Sequence, residues 1–289
     1  MKLALGTVQF GLDYGVANTA GRVTAAEAKA IVEHARASGI DTLDTAVLYG
    51  DSEQRLGEIG VNGWQVVSKL PEMPADCDDP AAWVADSVQR SLRLLRIERL
   101  YGLLLHRPGQ LLQAGGDRLY RGLVNVKDAG LVRKIGVSVY GPDELDSLHR
   151  SYSFDLVQAP FSVLDQRLLT SGWLSRLSDL GTELHVRSVF LQGLLLMPPG
   201  GRPAMFDRWA PVWTDFHRWL DDAHLTAGQA CLRFAVGQES ISRVVVGVDS
   251  RRQLAELLQA AAGPAPRVPA AVMTEDTDLL NPGRWTARQ

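Results

Sequence analysis

Four ionisable side chains of this 289-residue chain stand at or just after the ends of three short apolar segments. Asp44 and Tyr49 lie in LDTAVLYG, Lys69 lies in VVSKL, and His106 lies in LLLHRP. A tyrosine beside an ammonium group is a good proton donor to a carbonyl oxygen, because the cation lowers the phenol pKa from its reference value of about 10. Asp44 would keep Lys69 charged, and a neutral His106 would orient the oxygen. The four residue types together indicate proton donation to a carbonyl during hydride transfer.

Each of the four residues also has an ordinary structural role when it is considered alone. An aspartate at a strand end is typical of a turn acceptor, and a tyrosine often packs with its hydroxyl in water. A lysine commonly extends its amine to the surface, and a histidine behind leucines is often part of the core. The catalytic interpretation therefore depends on a fold that brings the four side chains to one place.

The elements predicted around these residues alternate between short β-like runs and helical periodicity, which is typical of parallel βαβ units. The predicted strands are residues 3–5, 42–44, 65–69, 102–106, 134–138, 156–159, 183–188 and 243–246. The predicted helices are residues 25–37, 53–59, 81–96, 118–129, 142–150, 173–180, 227–236 and 251–261. Eight such pairs close most simply into an α/β (β/α)8 TIM barrel, whose strand ends surround one pocket. Without an internal linker, residues 1–289 are predicted to form a single domain.

Two segments depart from the repeat. Residues 196–214, after predicted strand seven, are too long for an ordinary loop, and such an insertion at the catalytic face of a barrel is often a lid or a substrate wall. The tail, residues 274–289, has an acidic start and contains Trp285. Two alternatives stay open for this tail, which either folds over the barrel mouth or is frayed.

Composition and charge narrow the class of protein. With 46% hydrophobic and 22% charged residues the chain is typical of a globular protein, and its net charge of -3 argues against nucleic acid or an anionic membrane as partner. Cys77 and Cys231 are far apart, which predicts neither a disulfide nor a zinc site. Since the start lacks the pattern of a signal peptide and no heptad seam is present, we expect a cytoplasmic monomer or weak homo-oligomer.

The segments LDTAVLYG, VVSKL and LLLHRP resemble the catalytic segments of the aldo-keto reductases. Asp44, Tyr49, Lys69 and His106 correspond to the Asp, Tyr, Lys and His tetrad of that family, and the resemblance extends from GTVQFG at Gly6 to the helix after VVVGV. It implies a nicotinamide cofactor that lies across the barrel mouth without a Rossmann fold. It also implies a reductase of an aldehyde, ketone or sugar-like carbonyl with Tyr49 as proton donor.

The same resemblance implies a set of cofactor contacts. The residues implied to bind the cofactor are Gly6, Thr7, Asp44, Ser138, Gln158, Ser188, Leu191, Gly193, Gly247, Arg251, Arg252 and Gln253. Three positions depart from many relatives: Val139 and Leu257 stand where an asparagine is common, and Gln253 where an arginine is common.

The choice between the two nicotinamide cofactors is weakly encoded in the sequence. NADPH is the expected cofactor because it dominates the family, and Arg251 and Arg252 would favour its 2'-phosphate. NADH stays an alternative, since Asp249 beside these arginines would repel that phosphate.

Residues near the predicted strand ends also suggest substrate contacts, namely Phe10, Leu48, Arg107, Arg187 and Trp209. Arg187 stands where many relatives place an aromatic residue that stacks on the nicotinamide. If Arg107 or Arg187 faces the pocket, a substrate with a carboxylate, a phosphate or many hydroxyls is favoured. The alternative is that each arginine pairs with a local carboxylate or with the pyrophosphate of the cofactor.

Two other functions stay open. A nicotinamide-binding redox sensor or regulatory protein would share the fold and bind cofactor with little turnover, as the potassium-channel beta subunits of the family illustrate. A metal-dependent barrel hydrolase is disfavoured and no metal is expected, because the histidines outside LLLHRP lack ligand spacing beside carboxylates at strand ends. These histidines are His34, His149, His185, His217 and His224.

Overall fold

The computed structural model describes residues 1–285 and consists of a closed barrel of eight parallel strands. The strands follow one another around the barrel in chain order, and the last pairs with the first. They are β1 Leu3–Gly6, β2 Thr42–Asp44, β3 Gln65–Leu70, β4 Leu100–Leu105, β5 Val132–Ser138, β6 Leu156–Pro160, β7 Glu183–Arg187 and β8 Arg243–Gly247. The predicted (β/α)8 barrel is confirmed.

Helices between the strands surround the barrel. They are α1 Val8–Gly11, α2 Ala25–Ala37, α3 Ser52–Ile59, α4 Pro80–Leu95, α5 Gly116–Asp128, α6 Pro142–Leu148, α7 Arg167–Thr170, α8 Trp173–Asp179, α9 Ala210–Ala223, α10 Ala227–Val236, α11 Arg251–Ala260 and α12 Thr277–Leu280. Local sequence explains where several begin. Thr24 accepts a hydrogen bond from the Glu27 N–H at the start of α2, and Thr226 forms a capping box with Gln229 at the start of α10. None of the described helices has the length and apolarity needed to cross a membrane.

The barrel interior contains one apolar layer directly below the residues predicted to be catalytic. Val67, Leu104 and Leu156 form a separate buried cluster there. Because side chains alternate along a strand, the residues two positions further point to the same side. Lys69, His106 and Gln158 are those residues, so the alternation places them above the apolar layer, at the carboxyl ends of their strands.

The insertion after β7 is partly helical, which the sequence analysis did not predict. A 3-10 helix, Ala204–Trp209, leads directly into α9, whose Trp213, Phe216 and Trp219 are buried. These aromatic residues recur at helical spacing, but the prolines and glycines before them indicated a loop. Pro211 lies in the first turn of α9, where proline is compatible with a helix because no intrahelical N–H bond is lost there.

The described part of the tail folds onto this insertion. Trp209 Nε1 donates to Asp276 Oδ2 at 2.8 Å, and Trp285 packs edge-on against Phe206 with 4.9 Å between ring centroids. Pro282, close to these residues in the chain, lines a cavity at the barrel mouth that is described below. Residues 286–289, the rest of the predicted tail, lie outside the described residues.

Candidate active site

Asp44 and Lys69 form a buried ion pair at the carboxyl ends of β2 and β3. Lys69 Nζ lies 2.6 Å from Asp44 Oδ1 and also donates to the Thr45 carbonyl, while Gln158 Nε2 donates to Asp44 Oδ2. The side chains of Lys69 and Asp44 are only 1% and 5% exposed. Burial acts to lower the pKa of Lys69, but attraction by Asp44 and Tyr49 outweighs it and raises that pKa above its ordinary value. Lys69 is therefore a permanent cation inside the barrel.

Tyr49 and His106 lie beside this cation. Lys69 Nζ is 5.1 Å from the centre of the Tyr49 ring, and the rings of Tyr49 and His106 meet edge-on with centroids 6.0 Å apart. Burial, reinforced by the charges of Lys69 and Arg187, lowers the pKa of His106 to about 4. His106 is therefore neutral near pH 7, and the four side chains predicted to act together share one small volume.

Close backbone packing fixes the loop that carries Tyr49. A Cβ on Gly11 would lie 1.8 Å from the Tyr49 carbonyl oxygen, and a Cβ on Gly50 would lie 2.5 Å from the Gly11 carbonyl oxygen. Gly50 also has φ +56°, a left-handed conformation that favours glycine. The Tyr49 N–H donates to the Ala46 carbonyl, and its carbonyl accepts from the Ser52 N–H. The backbone of Tyr49 is thus held in place by contacts with Gly11, Ala46 and Ser52.

A buried network of hydroxyls supports the end of β2. Thr7 Oγ1 donates to the Asp44 carbonyl at 2.9 Å, and Ser52 Oγ donates to Thr7 Oγ1 at the same distance. Thr45 Oγ1 lies 3.1 Å from Ser52 Oγ. Thr7, predicted as a cofactor residue, therefore also holds the backbone of Asp44 in place.

A cavity of about 680 Å³ opens above these residues. Its volume is within the usual range for small-molecule sites. It brings together most of the predicted cofactor residues, two of the five predicted substrate residues and three of the four predicted catalytic ones. The predicted residues that line it are Gly6, Thr7, Asp44, Tyr49, His106, Arg107, Gln158, Arg187, Ser188, Gly193, Gly247 and Gln253.

Three of the predicted substrate residues do not line this cavity. Phe10 is completely buried in the hydrophobic core, because the aromatic ring of α1 faces the helices behind it. Leu48 is 54% exposed and is not part of the cavity lining. Trp209 is held by Asp276 within the contact between insertion and tail. For these three residues, the packing of the segment after the strand decides the side-chain position, and closeness to a strand end in the sequence does not predict it.

Several predicted cofactor residues lie off the cavity as well. Arg251 and Arg252 are exposed at the start of α11, where the Arg251 N–H donates to Glu27 Oε1 and Arg252 Nε lies 3.6 Å from Glu256 Oε1. Ser138 and Leu191 are buried and do not line the cavity themselves, but Ser138 is the register partner of Gln158, which does.

The cavity wall also contains residues that sequence analysis did not name. These are foremost Gln9, Tyr14, Tyr140, Gln192 and Pro282. Gln9 and Tyr140 follow β1 and β5 within three residues, so a wider search past each strand end would have found them. Tyr14 and Pro282 have no such local signal, since their positions depend on long segments folding back over the mouth.

The residues present fit a nicotinamide dinucleotide. Gln158 Oε1 and Ser138 Oγ are buried and have no hydrogen-bond partner in residues 1–285, and the two residues are neighbours in the β5–β6 register. An acceptor beside a hydroxyl matches the primary amide of nicotinamide. Buried polar atoms are otherwise almost always paired, so these two indicate a ligand group.

The turn after β7 has a conformation consistent with close approach of a ligand. Ser188, Leu191 and Gln192 have φ of 63°, 49° and 54°, and Gly193 has φ of 87°. Consecutive non-glycine residues rarely adopt positive φ, and such strain clusters at ligand sites. Ser188, Gln192 and Gly193 line the cavity.

No metal site accompanies these features in the described part of the chain, where no group of three or more His, Cys, Asp or Glu side chains is placed to hold an ion. The fold and the site thus define a (β/α)8 barrel with Asp44, Tyr49, Lys69 and His106 clustered at the mouth. The model of the Aldo/keto reductase family matches residues 2–267, and the chain belongs to this family. Family membership implies an oxidoreductase that acts on carbonyl groups of small molecules.

Solved structures of similar fold support the architecture. A protein from Pseudomonas aeruginosa, described as an aldo-keto reductase, is 24% identical with a TM-score of 0.67, over 90% of this chain and 89% of its own. An aldo-keto reductase from Bacillus halodurans is 19% identical with a TM-score of 0.74, over 95% and 94%. A glycerol dehydrogenase from Gluconobacter oxydans is 19% identical with a TM-score of 0.69, over 92% and 88%. No curated protein matches the chain.

Proposed function

We propose that this protein is an NAD(P)H-dependent carbonyl reductase in which Tyr49 is the proton donor. The observation that carries the proposal is the buried Asp44–Lys69 pair beside Tyr49 and a neutral His106. A bound reduced nicotinamide supplies the hydride that adds to the carbonyl carbon. Tyr49 gives its proton to the carbonyl oxygen as that oxygen gains negative charge, and Lys69 stabilises the phenolate that remains. His106 orients the oxygen through its neutral imidazole.

The substrate class that fits this site is an aldehyde, a ketone or a sugar-like carbonyl. Polar groups such as Gln9, Asn18, Tyr140 and Gln192 line the cavity together with apolar ones. Such a wall suits a hydroxylated carbonyl compound, because hydrogen-bonding groups at defined positions set the orientation of a ligand. The glycerol dehydrogenase among the structural neighbours is consistent with a hydroxylated substrate.

The end of the cavity at β8 and α11 supports NADH rather than the NADPH that the family resemblance favours. The catalytic residues lie at the other end, so the adenosine half of an extended dinucleotide would reach this one. Asp249 and Glu256 line it, whereas Arg251 and Arg252 do not. A 2'-phosphate would meet the Asp249 carboxylate there, and like charges at close range repel, whereas the charge of Glu256 is partly offset by Arg252.

A ribose hydroxyl suits the same position. Asp249 Oδ1 is buried and has no hydrogen-bond partner within the described residues, and burial raises the pKa of Asp249. A 2'-hydroxyl can donate to this oxygen, as it does to the acidic residue of NAD-binding proteins. Gln253 stands where many relatives have arginine, and its Oε1 accepts from the Asp249 N–H, so it adds no positive charge.

The test is a fluorescence titration of the purified protein with NADH and NADPH, followed by a panel of aldehydes, ketones and sugars. We expect micromolar binding, tighter for NADH, and oxidation of the bound cofactor by some of the carbonyls. If the cofactor binds but none of the carbonyls oxidises it, the sensor function is favoured over the reductase. Failure to bind either nucleotide would contradict both.

A further inference from the structure

Two arginines flank one tyrosine on the wall of the cavity beside His106. The guanidinium carbon of Arg187 lies 4.7 Å from the centre of the Tyr140 ring, and that of Arg107 lies 5.8 Å from it. Arg107 directly follows His106, and all of these residues line the cavity. The cation–π contacts hold two positive charges next to the position of the reacting carbonyl.

Arg187 is anchored from behind by neutral groups. Its Nη2 donates to the Val139 carbonyl at 3.0 Å and its Nη1 to Ser188 Oγ at 3.3 Å. Neither partner carries charge, so the contacts fix the guanidinium without neutralising it. Its other N–H groups make no hydrogen bond within residues 1–285 and are free for a ligand.

The positive charge of this region is not compensated by nearby acids. Among the described residues no carboxylate oxygen lies within 4.0 Å of the Arg107 or Arg187 guanidinium, and the negative charge of Asp44 is matched by Lys69. Glu144 lies close by and accepts from the Tyr140 N–H. Burial raises the pKa of Glu144, which the Tyr140 N–H and the two arginines only partly oppose. An anionic ligand group is therefore favoured at this end of the cavity.

We propose that Arg107 and Arg187 bind a carboxylate or phosphate group of the substrate, so that the substrates are small carbonyl compounds with an anionic group. This inference rests on the proposed carbonyl reduction. Tyr140 holds the two guanidinium planes, and the carbonyl of the same molecule reaches Tyr49 and His106. Arginine suits this role because its planar fork donates two hydrogen bonds to one carboxylate or phosphate.

The experiment compares matched substrates that differ in one charge. The pairs are 4-carboxybenzaldehyde with its neutral methyl ester, and glyceraldehyde 3-phosphate with glyceraldehyde. We expect kcat/KM of the wild type to be at least tenfold higher for the charged member of at least one pair. Which pair shows the difference identifies a carboxylate or a phosphate. In Arg107→Gln and Arg187→Gln this ratio falls about tenfold or more, as for a lost charge-assisted hydrogen bond, and Arg107→Lys retains part of it.

The matched control is Arg133→Gln, since Arg133 is exposed at the opposite end of β5 and stacks on Tyr101 there. It leaves the ratio unchanged. If kcat/KM in the Arg107 and Arg187 variants falls equally for the charged and the neutral substrates, and NADH binding weakens as well, the proposal is overturned. Both arginines would then be assigned to the cofactor pyrophosphate. The proposal would also be overturned if, in the wild type, kcat/KM were about the same for the charged and the neutral member of both pairs.

Direct binding separates this inference from the proposed reaction. Calorimetric titrations use benzoate, neutral benzamide and inorganic phosphate with the wild type and Arg107→Gln. We expect at least one of the two anions to bind the wild type and to lose most of its affinity in the variant, even if no carbonyl is turned over. Turnover of neutral carbonyls without anion binding would keep the proposed function and refute the inference.

Discussion

The two ends of the cavity differ in charge and in construction. Near Tyr49, Lys69 is fully buried against Asp44, and Arg107 and Arg187 add two cations that have no carboxylate partner within residues 1–285. At β8 and α11 the charged lining residues are Asp249 and Glu256. Charges that line a cavity act strongly on a ligand because the local dielectric constant is low. The positive end near Tyr49 would therefore attract an anionic substrate group, and the negative end at β8 and α11 would favour an uncharged ribose hydroxyl.

The groups assigned to chemistry and the groups assigned to ligand choice also differ in burial. The groups assigned to chemistry are fixed by buried contacts, namely the Asp44–Lys69 pair and the glycines that hold the loop of Tyr49. The groups assigned to ligand choice are less buried, since Arg107 and Glu256 are exposed and Arg187 and Asp249 are half-buried. Substitutions at the catalytic end are therefore expected to change stability or rate strongly, whereas substitutions at the exposed positions change selectivity.

The largest effect is expected for Tyr49→Phe. Removing the phenolic proton donor lowers kcat by about 10²–10⁴-fold, the usual contribution of a general acid. The dissociation constant for NADH stays within about twofold, since the ring remains against Lys69 and proton donation matters only in the transition state. Steady-state kinetics and the fluorescence titration measure both quantities. Full turnover of the variant would refute the mechanism.

Next in size is the loss of the buried cation in Lys69→Met. The change leaves Asp44 charged, 5% exposed and without its ammonium partner, which costs about 3–5 kcal/mol of unfolding free energy. Urea denaturation measures it. Converting Asp44 as well, in Asp44→Asn with Lys69→Met, recovers part of the stability because no unpaired charge remains. If both variants unfold at the same urea concentration, the ion pair does not govern the stability of this end.

At the opposite end, the double substitution Asp249→Ser with Gln253→Arg tests the choice of cofactor. It removes a carboxylate from the cavity wall and adds a cation, so the ratio of NADPH to NADH affinity rises about tenfold or more, equivalent to about 1.4 kcal/mol or more. Fluorescence titration gives both dissociation constants. Arg252→Gln is the control, because Arg252 is off the cavity. If the ratio of NADPH to NADH affinity changes only in the control, the 2'-phosphate is bound by the exposed arginines instead.

Much of this arrangement was predictable from the sequence, for physical reasons. Short β-like runs that alternate with helical periodicity predict the barrel, and the barrel brings Asp44, Tyr49, Lys69 and His106 together at one end of their strands. The segments that follow β4 and β8 behave differently. Whether Arg107 faces the cavity while Arg252 does not depends on side-chain packing across distant elements, for which local sequence has no signal.

The contribution of the insertion and the tail to the cavity wall was not predicted, for a related reason. Pro282 reaches the cavity only because Trp209 and Asp276 join segments far apart in the chain. Helix α9 was missed because prolines and glycines before it indicated a loop, although its buried aromatic residues follow helical spacing. Long-range contacts of this kind cannot be read from a single sequence without the fold.

The smallest expected effect concerns the pH dependence of stability at the catalytic end. The pKa of His106 is about 4 in the fold and about 6.5 in the unfolded chain, so below pH 6.5 the unfolded chain binds more protons. This residue therefore lowers stability as pH falls from about 6.5 toward 4, by about 1–2 kcal/mol between pH 7 and 5. In His106→Gln that part of the loss disappears.

Urea denaturation at both pH values measures the difference between wild type and His106→Gln. Glu53, Glu144 and Asp249 have pKa values raised by burial, so they take up protons in the fold and oppose the loss as pH falls. These carboxyl groups are present in both proteins, and their contribution largely cancels in the comparison. Identical losses on acidification would mean that His106 accepts a proton as readily in the fold as in water. The cations of Lys69 and Arg187 would then lie too far away to influence it, and the charge difference between the two ends of the cavity would be smaller than inferred.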